Sequence, residues 1–146
     1  MSNYTHILMA IDFNKSSEQI LAKALDIAEL NNAKLSMLHV VEYTPPVDYA
    51  NDPMIINWNF IDNEMLEQAK KSLQKFSEQH NLKNVDLSVE LGRPKHVISQ
   101  FVKDHQCDLV IIGSHGRHGI SLLLGSTANA VLHAMPCDIL TLKIED

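Results

Sequence analysis

The sequence predicts an α/β protein built as one doubly wound parallel sheet. Short, dense apolar runs alternate along the chain with longer segments of helical periodicity. The length of 146 residues fits one domain, and 45% hydrophobic with 21% charged residues is typical of a globular protein. Strands that alternate with helices pair in parallel through right-handed crossovers. We therefore expect a single domain over residues 1–146.

The first half of the chain predicts two strands and two helices. The unbroken apolar run His6–Ile11 is typical of a strand buried on both faces, and it ends at Asp12. A helix is expected to begin at Ser16, a good N-cap residue, because apolar residues follow it at helical spacing. A second apolar run, Leu35–Val41, predicts the next strand, and Phe60–His80 predicts a helix with one apolar face.

The second half continues the alternation. The segment Val85–Leu91 alternates as a strand, and Pro94–Asp104 predicts a helix because proline is favoured in a first turn. The short apolar run Leu109–Ile112 predicts a strand. A helix over Ser126–His133 and a last strand over Ile139–Ile144 complete five strands and about four helices.

The segment Tyr43–Asn59 is the one long irregular stretch. It contains three prolines and the single tryptophan, and loops of this length in small domains are often functional. We expect it to fold over the ligand crevice or onto a partner subunit.

Charge and composition narrow the classes of function. A net charge of -6 and a pI near 5.7 argue against nucleic-acid binding, which needs a basic face. No signal peptide or apolar run of about 18 residues is present, so we expect a cytoplasmic protein without membrane partners.

The cysteines, Cys107 and Cys137, are expected to be reduced, buried thiols. A disulfide between them would require adjacent strands and an oxidising compartment.

A glycine-rich segment, Gly113–Thr127, is the strongest candidate for a binding site. Glycines let backbone amides approach an anion, and a hydroxyl-rich helix start favours negative charge. In open α/β sheets ligands bind at the carboxyl ends of the strands. The ends at Asp12, Val40 and Gly113 are therefore expected to converge on one crevice. The segment is neither a Walker loop nor a dinucleotide fingerprint.

Each candidate residue also has a structural interpretation. Asp12 can be a turn or cap residue, Val40 a core residue, Ser126 a helix cap and Arg117 a solvated surface residue. The pair His115 and His118 lacks a nearby Cys, Asp or Glu, so we expect no metal site. The neighbours Ser114 and His115 form no nucleophile motif, and we find no catalytic constellation. His39, inside a strand, is expected to be a hydrogen-bonded histidine of the core.

The chain resembles the universal stress protein (UspA) family over essentially its whole length. The resemblance implies a sheet ordered 3-2-1-4-5 and dimerisation through the last strand. It rests on these segments, in order: Ile7–Asp12, Leu38–Val41, Gly92–Pro94, Asp108–Arg117, Leu123–Thr127 and Pro136–Leu140.

The ATP-binding members of that family carry the motif G-x2-G-x9-G-(S/T). Here Gly113, Gly116, Gly125 and Ser126 match it, but eight residues instead of nine separate Gly116 from Gly125. If ATP binds, the resemblance implies that Asp12 lies near the ribose or a phosphate-bound Mg²⁺ and that the Val40 backbone contacts adenine. The phosphates would be held by Gly113, Gly116, Arg117, Gly125, Ser126 and Thr127.

Three functional hypotheses follow. The first is a stress-response module that binds ATP with Mg²⁺ and signals through its bound state. The alternative is a nucleotide-free dimeric interaction protein in which the short loop is closed, and the third is slow ATP hydrolysis with Asp12 as the available base. A dimer is expected in either of the first two, because the last strand is apolar on both faces and would form a free edge. The alternative is a monomer whose edge is protected by the charges of Lys143, Glu145 and Asp146.

Overall fold

The computed structural model of the chain describes residues 3–13, 15–42, 58–113 and 135–143. Within these ranges the predicted alternation of strands and helices is confirmed. The elements are β1 (His6–Ala10), α1 (Ser17–Asn31), β2 (Lys34–Glu42), α2 (Trp58–Gln79), β3 (Val85–Gly92), α3 (Pro94–His105), β4 (Leu109–Gly113) and β5 (Asp138–Leu142). The predicted helix Ser126–His133 lies outside the described residues.

The five strands form one parallel sheet in the order β3-β2-β1-β4-β5, as expected. The central strand, β1, pairs Ala10 with Leu38 of β2 and Met9 with Ile111 of β4. Because all strands are parallel, their carboxyl ends lie along the same edge of the sheet. The winding of the chain reverses between β1 and β4.

Element boundaries differ from the expectations by a few residues. The last strand runs from Asp138 to Leu142 instead of Ile139 to Ile144, and Ile144 lies outside the described residues. The expected irregular segment up to Asn59 is wrong at its end, because α2 already begins at Trp58. Only the apolar periodicity marks α2 in the sequence, and that periodicity starts after the first residues of the helix.

Apolar side chains fill both faces of the sheet. On one face, residues such as Ile7, Met9 and Met37 pack against α1 and Leu73 of α2. On the other face, residues such as Leu8 and Leu38 pack against α3. The three residues Ile7, Leu8 and Met9 are completely buried, which explains why β1 is an unbroken apolar run. Burying each such side chain contributes about 1.5–3 kcal/mol.

Side-chain hydrogen bonds tie together the amino-terminal edge of the sheet. The Asp108 carboxylate accepts bonds from the Thr5 amide (2.8 Å), the Thr5 hydroxyl (3.0 Å) and the His6 amide (3.0 Å). The Tyr4 hydroxyl donates to Asp138, 2.9 Å away. The segment before β1 is therefore bound to the starts of β4 and β5.

Among the described residues, no helix has both the length and the apolar character that crossing a membrane requires.

Candidate functional site

The structure brings three predicted site residues to the carboxyl edge of the sheet. Asp12 and Val40 each lie two residues beyond the aligned pair Ala10 and Leu38. The Ile11 amide continues the pairing by donating to the Leu38 carbonyl, 3.0 Å away. Gly113 ends β4, the other neighbour of β1. These residues therefore surround the point where the winding reverses, which is where open α/β sheets bind ligands.

The amino terminus of α1 lies at the same edge, because the helix follows β1 after a short turn. Ser16 is its N-cap, as expected, and its carbonyl accepts a bond from the Ile20 amide at 3.1 Å. The next residue, Ser17, is 1% exposed, and among the described residues its Oγ has no hydrogen-bond partner. A buried hydroxyl without a partner is uncommon and needs an explanation. It leaves a polar group available in the first turn of α1, where the helix dipole favours an anion.

An unusual backbone conformation follows Asp12. Phe13 has a φ of 62°, in the left-handed region that residues other than glycine rarely adopt. Its ring lies 4.6 Å from the ring of His39 and 6.4 Å from that of Phe76, measured between centroids. These contacts compensate the backbone strain and fix the turn that carries Asp12. Sequence reasoning missed this role of Phe13, because no local pattern marks a left-handed phenylalanine.

His39 has a hydrogen-bond partner, as expected for a histidine inside a strand. Its Nδ1 donates to the Ile11 carbonyl at 2.7 Å, so it links the end of β1 to β2. The side chain is half-buried instead of being part of the core, although the following residues Val40 and Val41 are buried. It therefore supports the turn at Asp12 together with Phe13, whose ring it contacts.

Val40 is compatible with both of its predicted roles. Its side chain is 2% exposed and belongs to the core on the α3 face. The predicted contact with adenine uses its backbone, which the buried side chain holds in place. The remaining predicted site residues lie outside the described part of the chain: Gly116, Arg117, Gly125, Ser126 and Thr127.

The described residues contain no cluster of three or more His, Cys, Asp or Glu side chains that could hold a metal ion. His115 and His118 lie outside the described residues.

Both cysteines are free, although β4 and β5 are adjacent. Cys107 is buried as expected, whereas Cys137 is only half-buried because it precedes an edge strand. Burial is the main cause that raises the pKa of each thiol to about 11, so neither is a reactive thiolate near neutral pH.

The fold and the converging strand ends define a class, the doubly wound α/β domains with a ligand crevice at the switch point of the sheet. The sequence pattern of the universal stress protein family matches residues 3–143. The chain belongs to that family.

Its relatives agree with this assignment over nearly full length. The chain is 36% identical to universal stress protein A homolog 2 of Coxiella burnetii, with 99% of each chain covered. The structure of the universal stress protein UspA from Lactobacillus plantarum is similar, with a TM-score of 0.68, 26% identity, and coverage of 97% of this chain and 99% of that one. A universal stress protein solved in complex with cAMP has a TM-score of 0.57 at 22% identity, covering 97% of this chain and 98% of that one.

Proposed function

We propose that this chain is a cytoplasmic stress-response protein that binds ATP together with Mg²⁺, and that the bound state is its signal. The observation that carries the proposal is the convergence of Asp12, Val40 and Gly113 at the switch point of the sheet. From that point β4 leads directly into the glycine-rich segment that begins at Gly113. Two strand ends would hold the nucleoside, and the segment after the third would hold the phosphates.

The chemistry of the edge fits this ligand. The backbone of β2 at Val40, beyond its last residue paired with β1, offers amide and carbonyl groups to an adenine edge. Asp12 supplies carboxylate oxygens, which are the ligands that Mg²⁺ prefers, and the ion would neutralise phosphate charge. The amino terminus of α1 adds a region that favours an anion, and the Ser17 hydroxyl there has no partner among the described residues.

The phosphate contacts are assigned to residues of the glycine-rich segment. Amides of Gly113, Gly116 and Gly125 can approach an anion because glycine has no side chain. The hydroxyls of Ser126 and Thr127 and the guanidinium of Arg117 would complete the set. The related protein solved with cAMP supports an adenine nucleotide as the class of ligand.

Titration calorimetry on nucleotide-stripped protein tests the proposal. We expect heat with ATP and Mg²⁺, weaker binding of cAMP, and no binding of inorganic phosphate alone. Gly116→Val and Gly125→Val should each weaken ATP binding by more than about 100-fold, because a side chain blocks several backbone contacts together. The milder Ser126→Ala should cost less, since the amides remain. No heat with millimolar ATP would mean that the segment with eight residues between Gly116 and Gly125 is only a connection.

The second candidate function is a nucleotide-free dimeric interaction protein. It is favoured by β5, an edge strand whose side chains Ile139, Leu140 and Leu142 remain half-buried. Pairing of this strand with its own copy about a two-fold axis would cover its free edge. Light scattering at micromolar concentration should give the mass of a dimer whether or not nucleotide binds, and the mass of a monomer would refute the pairing.

Measuring phosphate release during a long incubation with ATP distinguishes ATP binding alone from slow ATP hydrolysis.

A further inference from the structure

An aromatic contact joins α2 to the turn that carries Asp12. The centroid of the Phe13 ring lies 4.6 Å from that of His39 on β2 and 6.4 Å from that of Phe76 on α2. The planes of Phe13 and Phe76 are inclined at 70°, the edge-to-face arrangement that aromatic pairs favour. The contact with Phe76 comes from a helix, so the turn after β1 depends on where α2 lies.

Phe76 is itself held in place by its neighbours. Its ring lies 4.5 Å from the ring of His80, and His80 Nε2 is 3.7 Å from Glu18 Oε1 in the first turn of α1. One turn earlier on α2, Leu73 is 2% exposed and belongs to the core between the helices and the sheet, against which Phe76 also packs. Phe76 is therefore a fixed surface against which the Phe13 ring can pack.

The left-handed conformation of Phe13 has a different cause from the others in the described residues. Asn32, Asn81 and Gln106 also have positive φ, but each follows the end of a helix, where this conformation is usual. Phe13 follows a strand, and a residue with a Cβ remains left-handed only when its surroundings hold it there. Because Asp12 is the adjacent residue, a change of φ at Phe13 would change the direction of the chain at Asp12.

We propose that Phe76 is a positioning residue for the ligand site. By packing against the Phe13 ring, it keeps residue 13 left-handed and thereby keeps the Asp12 carboxylate placed for the Mg²⁺ of the bound nucleotide. This inference rests on the proposed function and adds that the position of α2 sets the affinity for the magnesium form of ATP. Phe76 acts through Phe13 and needs no contact of its own with the nucleotide.

The Mg²⁺ dependence of ATP binding tests the proposal. Calorimetry with Mg²⁺ and again with EDTA gives two ATP affinities, and their ratio measures the contribution of the metal contact. Phe76→Leu keeps an apolar side chain but removes the ring. It should lower the ratio by about 10-fold, the size of effect seen between coupled residues, while the affinity in EDTA remains nearly unchanged.

A rescue variant and a matched control separate positioning from stability. Glycine adopts positive φ readily, so in a Phe13→Gly chain the change Phe76→Leu should leave the ratio unchanged. The control is Phe101→Leu on α3, because Phe101 also contacts a histidine four residues later, His105, with ring centroids 4.0 Å apart. Phe101 belongs to the core on the other face of the sheet, so its replacement should not alter the ratio.

Nuclear magnetic resonance of the ligand-free protein gives a readout that does not require ATP. Phe76→Leu should move the Cα signal of residue 13 and the amide signal of Asp12, whereas Phe101→Leu should move neither. In the Phe13→Gly chain, Phe76→Leu should leave the Asp12 signal in place. If the wild type binds no ATP but these signals behave as expected, the proposed ligand is wrong and the positioning of Asp12 by Phe76 is retained.

Other results would overturn the proposal. Equal losses of ATP affinity with Mg²⁺ and with EDTA, or equal losses for Phe76→Leu and Phe101→Leu, would show that Phe76 contributes only to stability. Additive losses from Phe13→Gly and Phe76→Leu would show that Phe76 does not act through Phe13. Phe76→Met repeats each measurement, so the test does not depend on the folding of one variant, and circular dichroism confirms that each variant is folded.

Discussion

Replacing Asp108 by asparagine tests whether the amino-terminal edge of the sheet depends on one carboxylate. Asp108 accepts two bonds from Thr5 and one from the His6 amide, and all three are within 3.0 Å. Asparagine keeps one accepting oxygen, so its amide nitrogen would face at least one N–H donor. Bonds to a charged group contribute about 1.5–3 kcal/mol and neutral bonds about 1 kcal/mol. Losing one bond and weakening the others should lower the free energy of unfolding by about 2 kcal/mol.

Urea denaturation followed by circular dichroism measures this loss. With an m-value of about 2 kcal/mol/M, the midpoint should fall by about 1 M. The matched control is Asp138→Asn, because Asp138 is the first residue of β5 and Asp108 immediately precedes β4. Its described partner is the exposed Tyr4 hydroxyl, and asparagine can still accept that bond. The control should therefore change the stability by less than about 0.5 kcal/mol.

The pH dependence gives a second, independent readout. Burial alone would raise the pKa of Asp108, but the bonds from Thr5 and His6 outweigh it and hold the pKa below its ordinary value. A carboxyl group with a lowered pKa in the folded state stabilises the fold above the unfolded pKa, near 4, and loses that contribution as pH falls through the folded pKa. The difference between wild type and Asp108→Asn should therefore shrink below about pH 4. Equal losses for the two asparagine variants, or a difference independent of pH, would refute the reasoning.

Two further predictions concern β3 and the cysteines. Gly92 has a φ of 150°, and a Cβ there would lie 2.8 Å from Val97 Cγ2. Gly92→Ala should therefore lower the free energy of unfolding by about 1–3 kcal/mol, which thermal denaturation measures. Adding Val97→Ala should recover the part due to the clash, and an unchanged melting temperature for Gly92→Ala would contradict the packing. Burial raises the pKa of Cys107 and Cys137 to about 11, so iodoacetamide at pH 8 should label the native thiols roughly 100-fold more slowly than the urea-unfolded chain. Mass spectrometry measures the labelling. Rapid labelling of Cys107 in the native state would show that burial does not protect this thiol.

The strands and helices could be predicted because burial leaves a direct pattern in the sequence. Ile7, Leu8 and Met9 are apolar because both faces of β1 are covered, and the run predicted that condition. The pattern marks only buried positions, so it missed the exposed ends of β2 at Lys34 and Glu42. The strand order came from the family resemblance, because alternation alone permits several orders of a parallel sheet.

The candidate site could be predicted only in part. Strand ends gave Asp12, Val40 and Gly113, since parallel strands place their carboxyl ends together. The conformation of Phe13 could not be predicted, because it depends on His39 and Phe76, which are distant in sequence. The repeated Cys-Asp pair at the starts of β4 and β5 was visible in the sequence. The hydrogen bonds of Asp108 could not be predicted from it, because they depend on the position of Thr5.

The pairing of β1 with β4 has a consequence for synthesis of the protein. Ile7 pairs with Leu109, and 102 positions separate them along the chain. A ribosome adds about 5–20 residues per second, so β1 waits on the order of 5–20 seconds for this neighbour. During that time β2 can cover one edge of β1, while its other edge and its apolar side chains remain available to other chains. The nascent protein is therefore most in need of chaperone protection between the synthesis of β1 and that of β4.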